Sequence, residues 1–175
     1  LNGLAAKVKQ RDDLPLFIPH LGGRVSPGWP NIRGSWAGLT WDHGPAELYR
    51  AMLEGVALEY GLYKDALLNL IPNFKLAELR ITGGGEKSTS WNQLKADVLQ
   101  TSIVQIDCGS GAPMGSALLA GYGVGLFDDL NVAAEKWIAT GRRFDFDSTL
   151  AEHYAKRKRG YSNLLEALNE WSEKE

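Results

Sequence analysis

The clearest hydrophobic period in the chain lies between Pro45 and Ile71, where Tyr49, Leu53, Val56, Tyr60, Tyr63, Leu67 and Ile71 recur at spacings of four and three. Such spacing returns to one side of an α-helix at every turn, so it predicts a helix of about seven turns whose apolar face packs in the core. Pro45 suits the first helical position, where a missing N–H costs nothing. Arg50, Glu54 and Lys64 fall away from the stripe. Gly55 and Gly61, inside the helix, predict a neighbouring backbone close by.

Upstream the pattern changes to alternation. Residues 35–41 place Trp36, Gly38 and Thr40 on one face and Ala37, Leu39 and Trp41 on the other, which predicts a strand. Before it, residues 14–34 mix a brief apolar strand with Gly and Pro, as in a long surface loop, and a short helix opens the chain. Downstream, residues 76–82 read as a strand, three glycines follow, and a helix is expected from about Trp91 to Gln100. Ser90 and Gln93 fit a capping box at its start. Residues 102–107 form another strand, 108–113 a turn with Pro113 near the next helical start, and 114–125 a helix rich in small residues. A shorter helix covers 130–139, and the end of the chain reads as one helix or as a pair broken near Gly160. Strands alternating with helices from Leu76 onward predict an α/β layer with parallel strands in a single domain, 1–175.

Composition narrows the function classes. With 175 residues, 44% of them hydrophobic and 23% charged, the chain can bury one ordinary core. A net charge of −2 leaves no electrostatic footprint for nucleic acid, and the basic run at 156–160, KRKRG, is expected to be a solvated helix face. One cysteine, Cys108, excludes an internal disulfide and suits a reducing compartment. No apolar stretch is long enough for a membrane span and no signal peptide opens the chain, so the cytoplasm is the default location. The opening at Leu1, which reads like the tail of a helix, suggests a piece of something longer.

The stretch RITGGGEKSTSWNQ, residues 80–93, has the look of a phosphate cradle. A P-loop needs glycines at the positions held here by Ile81 and Glu86, and a carboxylate beside Lys87 repels phosphate oxygens. The P-loop is therefore excluded. What remains is a strand, a glycine run and a capped helix, an arrangement that lets a nucleotide approach the backbone and that serves equally as a tight turn. His20, His43 and His153 show no ligand spacing, and residues 145–149, DFDST, are too short for a calcium loop.

Three stretches together resemble the C-terminal half of the FGGY carbohydrate kinases. Residues 34–54 fill that family's second signature with Gly34, Trp36, Gly38, Leu39, Glu47, Leu48, Ala51, Met52, Leu53 and Glu54. Residues 81–99 are similar to its adenosine motif through Gly83, Gly84, Gly85, Ser88, Trp91, Ala96 and Asp97. Residues 111–125 look like its helix after the last core strand. The loop at 23–27, Gly-Arg-Val-Ser-Pro, resembles xylulokinases but lacks their Glu-Arg pair. The resemblance implies a ribonuclease H-like domain, incomplete at its N-terminal side, with ATP and Mg2+ as cofactors and a sugar as substrate, most like D-xylulose. Ribulose, gluconate, glycerol or another polyol is the alternative acceptor. A non-catalytic nucleotide-binding module is the alternative of another class.

The same resemblance implies that Gly83, Gly84, Gly85, Ser88 and Asn92 meet the nucleotide. The competing account makes Ser88 a helix cap, Asn92 a solvated side chain and Trp91 a packing residue. The catalytic base, an aspartate in this family, belongs upstream; Asp12, Asp13, Asp42 and Asp107 do not match its motif. An N-terminal sugar-binding domain and the first strands of the sheet are likewise expected upstream, so an open sheet edge is expected, with self-association into a homo-oligomer through it as a hazard.

Overall fold

The computed structural model describes residues 2–8, 11–107 and 111–174. A one-turn helix α1 (Asn2–Ala5) leads to strand β1 (Leu16–Ile18), which pairs antiparallel with β2 (Ser35–Ala37). The strand expected over residues 35–41 stops early because Gly38 takes φ +79, which turns the chain out of the ladder. Helix α2 (Pro45–Leu70) then runs 26 residues, with the Glu47 carboxylate accepting the Gly44 N–H at its start. Strand β3 (Leu79–Ile81), helix α3 (Thr89–Leu99), strand β4 (Ile103–Asp107) and helices α4 (Gly111–Gly123) and α5 (Leu130–Trp137) follow. Strand β5 (Ala139–Phe144) and helix α6 (Ala151–Ser172) complete the chain.

The second sheet has the order β3-β4-β5, with β3 parallel and β5 antiparallel to β4. The parallel expectation therefore holds for one pair only. The sequence pattern does not reveal β5: five of its six residues are exposed and only Phe144 is buried, so no alternation marks it. Phe144 packs with Ala96, Leu99 and Ile103 under α3. Helix α6 is continuous through Gly160, which resolves the choice between one helix and a pair.

Helix α2 buries a different face from the one its apolar period predicts. Ala51, Glu54, Gly55, Ala57, Leu58, Glu59 and Gly61 are buried, while Tyr60, Tyr63, Leu67 and Ile71 are each more than a third exposed. Small residues decide this, because β1, α3 and α6 all pack on α2 and need its backbone close. A methyl group built on Gly55 would lie 2.2 Å from the Phe17 carbonyl oxygen, and one on Gly61 would meet the Lys158 side chain at 3.2 Å. Around this contact Ile18, Ile32, Leu58, Leu94, Tyr154 and Tyr161 form the main core.

Two buried carboxylates lie on that face, each with a cationic partner. Glu59 accepts from Arg24 at 2.9 Å and from the Tyr161 hydroxyl at 2.8 Å, tying the 19–34 loop to α2 and α6. Burial pushes the Glu59 carboxyl up, but the bonds from Tyr161 and Arg24 and the Arg24 charge outweigh it, and its pKa ends below the ordinary value. Glu54 accepts from Arg157 at 2.6 Å. The same guanidinium donates to the carbonyls of Leu14 at 2.6 Å and Pro15 at 3.1 Å. Arg157, in the middle of the basic run, is thus a buried strut and not part of a solvated face; Lys156 and Lys158 pair with Asp12 and Asp65 nearer the surface.

Candidate functional site: the glycine turn and its cleft

The chain leaves β3 at Thr82 and enters a 3₁₀ turn, Gly84–Lys87, through Gly83, whose φ of +95 is open to glycine at little cost. Two bonds close the turn, from Glu86 N–H to the Gly83 carbonyl and from Ser88 N–H to the Gly85 carbonyl. Helix α3 begins immediately. Its cap is Ser88, whose hydroxyl accepts the Trp91 N–H at 3.4 Å, one residue pair earlier than the expected Ser90–Gln93 box. Gln93 instead donates to Asp97 and to the Asp145 carbonyl.

The three glycines divide the labour. Nothing lies within 4 Å of a methyl group built on Gly83 or Gly84, so this side of the turn is open. On Gly85 the same methyl would strike the Trp91 ring at 2.6 Å, so the turn rests on that indole. Trp91 is itself fixed, its indole N–H donating to the Leu53 carbonyl at 3.1 Å and its ring carrying the Lys95 ammonium at 4.4 Å. Burial lowers the Lys95 pKa, and the nearby Glu86 charge only partly restores it.

Asn92 is fully buried, which corrects the solvated reading. Its Nδ2 donates to the Glu86 carbonyl at 2.6 Å, and Gln105 Nε2 donates to the same oxygen at 2.9 Å. Gln105 is the residue that sequence reasoning missed; a lone amide in the apolar strand SIVQID was its only signal. Asp97, near the end of α3, is buried, and desolvation raises its pKa against the bonds it accepts from Asp147 N–H and Gln93. Cys108 lies outside the described residues. The three histidines go to three separate places: His20 to Glu59, His43 to Thr40 and His153 to Asp12.

Beside the turn opens a cleft of about 630 Å³. One wall is the turn itself with Trp91 and Lys95; the other is the apolar stripe of α2 through Tyr60, Tyr63 and Leu67. All three residues of β3 line it, and β3 is an edge of its sheet among the described residues. The stripe read from the sequence as core is therefore a cleft wall here.

Residues 2–124 match the C-terminal domain of the FGGY family of carbohydrate kinases. The chain belongs to that family. Among its FGGY relatives, xylulose kinase of Staphylococcus epidermidis is 34% identical over 94% of this chain and 32% of its own length. Gluconokinase of Bacillus licheniformis is 32% identical over 99% of this chain and 34% of its length. The crystal structure of xylulose kinase from Rhodospirillum rubrum superposes with a TM-score of 0.79 at 29% identity, over 98% of this chain and 34% of that one. The fold is the C-terminal portion of the ribonuclease H-like FGGY kinase fold. This chain spans about a third of the length of the FGGY proteins it matches. Among the described residues no helix is long and apolar enough to cross a membrane.

Proposed function

We propose that this chain is the nucleotide-binding C-terminal part of a cytoplasmic sugar kinase, which transfers the γ-phosphate of ATP to a hydroxyl of D-xylulose. The observation that carries the reading is the glycine turn: its Gly83 and Gly84 face is open, its Gly85 face rests on Trp91, and Ser88 caps the helix that follows. An adenosine can lie against such a bare backbone, with Ser88 within reach as a hydroxyl partner. The residues present fit the adenosine half of ATP. Mg2+ would be held mainly by the phosphates and by residues upstream, because among the described residues no group of three or more His, Cys, Asp or Glu could hold a metal ion. ATP bound with Mg2+ supplies the transferable phosphoryl group. The residues of this chain position and desolvate the nucleotide, and an upstream aspartate takes the proton of the acceptor hydroxyl.

D-xylulose is favoured as acceptor because xylulose kinases stand among the relatives in both sequence and structure. Gluconate is the second reading, supported by the gluconokinase relative over 99% of this chain. The open edge of β3 and the apolar cleft beside it favour a domain whose sheet continues with strands from upstream residues. The test is ADP release by the full-length protein with ATP and Mg2+ against ketoses, aldoses and polyols. Strong release with D-xylulose supports the reading, and a better acceptor renames the enzyme. A folded protein that binds ADP and is silent on every acceptor is a binding module instead.

A further inference from the structure

The Glu86 carbonyl accepts two side-chain amides from two different elements, Asn92 on α3 at 2.6 Å and Gln105 on β4 at 2.9 Å. Asn92 keeps this bond at a cost, since its Oδ1 is buried without a protein partner. Gln105 is placed by a register shift between Val104 and Ile106, where β4 pairs irregularly with β5. Across that irregularity stands Gly141, where a methyl group would meet Gln105 Cβ at 3.4 Å. A run of three glycines has more conformational freedom to lose than any other tripeptide. Something must hold it. Nothing lies within 4 Å of a methyl group built on Gly83 or Gly84, so beyond the two main-chain bonds that close the turn it is held by Trp91 under Gly85 and by the two amides on Glu86.

We infer that Asn92 and Gln105 are positioning residues that clamp the Glu86 carbonyl and so pre-form the glycine turn for the nucleotide. The inference rests on the nucleotide reading above. It places Asn92 behind the turn, acting through it, and adds Gln105, a residue 19 positions beyond Glu86, to the same device. Pre-forming the turn removes an ordering cost that a ligand would otherwise meet at binding.

Two variants of the full-length protein separate the donor from the packing: Gln105→Met keeps the volume without the donor, and Gln105→Lys keeps a donor. Two readouts are taken, hydrogen exchange of the Glu86 and Ser88 amides without ligand, and MgADP affinity by calorimetry. Gln105→Met is expected to speed that exchange and weaken MgADP about tenfold, the effect of one hydrogen bond lost, while Gln105→Lys stays within about twofold. The double variant with Asn92→Ala is expected to lose more than the product of the two single losses, because in each single variant the remaining amide still holds the carbonyl in part. Unchanged exchange in Gln105→Met overturns the clamp. Faster exchange with unchanged MgADP affinity overturns its link to the nucleotide. A wild type that binds no MgADP overturns the nucleotide reading, and the exchange data alone then decide the clamp.

Discussion

Replacing Arg157 by Met tests whether the buried strut carries the packing of α6. The guanidinium is 7% exposed and its partner Glu54 1% exposed, so the variant leaves a carboxylate in the interior without its hydrogen-bonded cation. Arg50 replaces it only in part: its Nε stands 3.9 Å from Glu54 Oε2, an ion pair too long for a hydrogen bond. Breaking one partner of such a buried pair costs about 3–5 kcal/mol. The carbonyls of Leu14 and Pro15 also lose their donor, which keeps the cost at the upper end of that range. For a chain of this size the melting temperature should fall by on the order of 10 °C. Urea unfolding followed by tryptophan fluorescence gives the free energy directly. Adding Glu54→Leu to Arg157→Met should recover part of the loss by removing the stranded charge. A single variant that loses less than about 1 kcal/mol, as a surface ion pair would, refutes the buried strut.

Three further outcomes follow from the packing and the site. Gly55→Ala should lower the urea midpoint, because crowding of about 1–3 kcal/mol against the Phe17 carbonyl exceeds the helix propensity gained; a more stable variant would show that β1 and α2 are not in contact there. Glu59 titrates below its ordinary value of 4.5, so its contribution to stability is complete above that pH and is lost as pH falls through the lower folded value. Tyr161→Phe removes one donor and raises the folded value, so acid unfolding should begin at higher pH, and an unmoved transition would place Glu59 outside the interior. Gly84→Val should abolish MgADP binding with circular dichroism near native, since the open side of the turn has room for the side chain but not for both it and a ligand. Undiminished MgADP affinity in that variant counts against the turn as the nucleotide surface.

The sequence made the length of α2, the glycine turn and strand β4 legible because each carries a local signal: a proline at the start, a glycine run, a β-branched apolar segment. The buried face of α2 was not legible. Apolar periodicity marks where a helix can be covered, whereas Ala51, Gly55, Ala57 and Gly61 mark where backbones approach, and here the two faces differ. Glu54 and Arg157 each read as surface charges when taken alone. Only their juxtaposition across 103 residues makes both interior. Strand β5 has no local signal because an exposed edge strand does not need alternation. At the site, the glycines could be read from their run, but the partners of the Glu86 carbonyl could not, since a main-chain acceptor leaves no mark in the sequence.

The bond from Arg157 to the Leu14 carbonyl joins residues 143 positions apart. A ribosome adds about 5–20 residues per second, so the segment around β1 waits roughly 7–30 s for the side chain that will hold it. Throughout that interval the carbonyls of Leu14 and Pro15 wait for their donor, and Glu54 on α2 waits for its hydrogen-bonded cation. Assembly of this half of the molecule is therefore a late event, timed by the emergence of α6 and not by the order in which β1 and α2 are made. A nascent chain stalled before Arg157 leaves the tunnel should remain sensitive to protease around residues 14–18, and one released just after it should not.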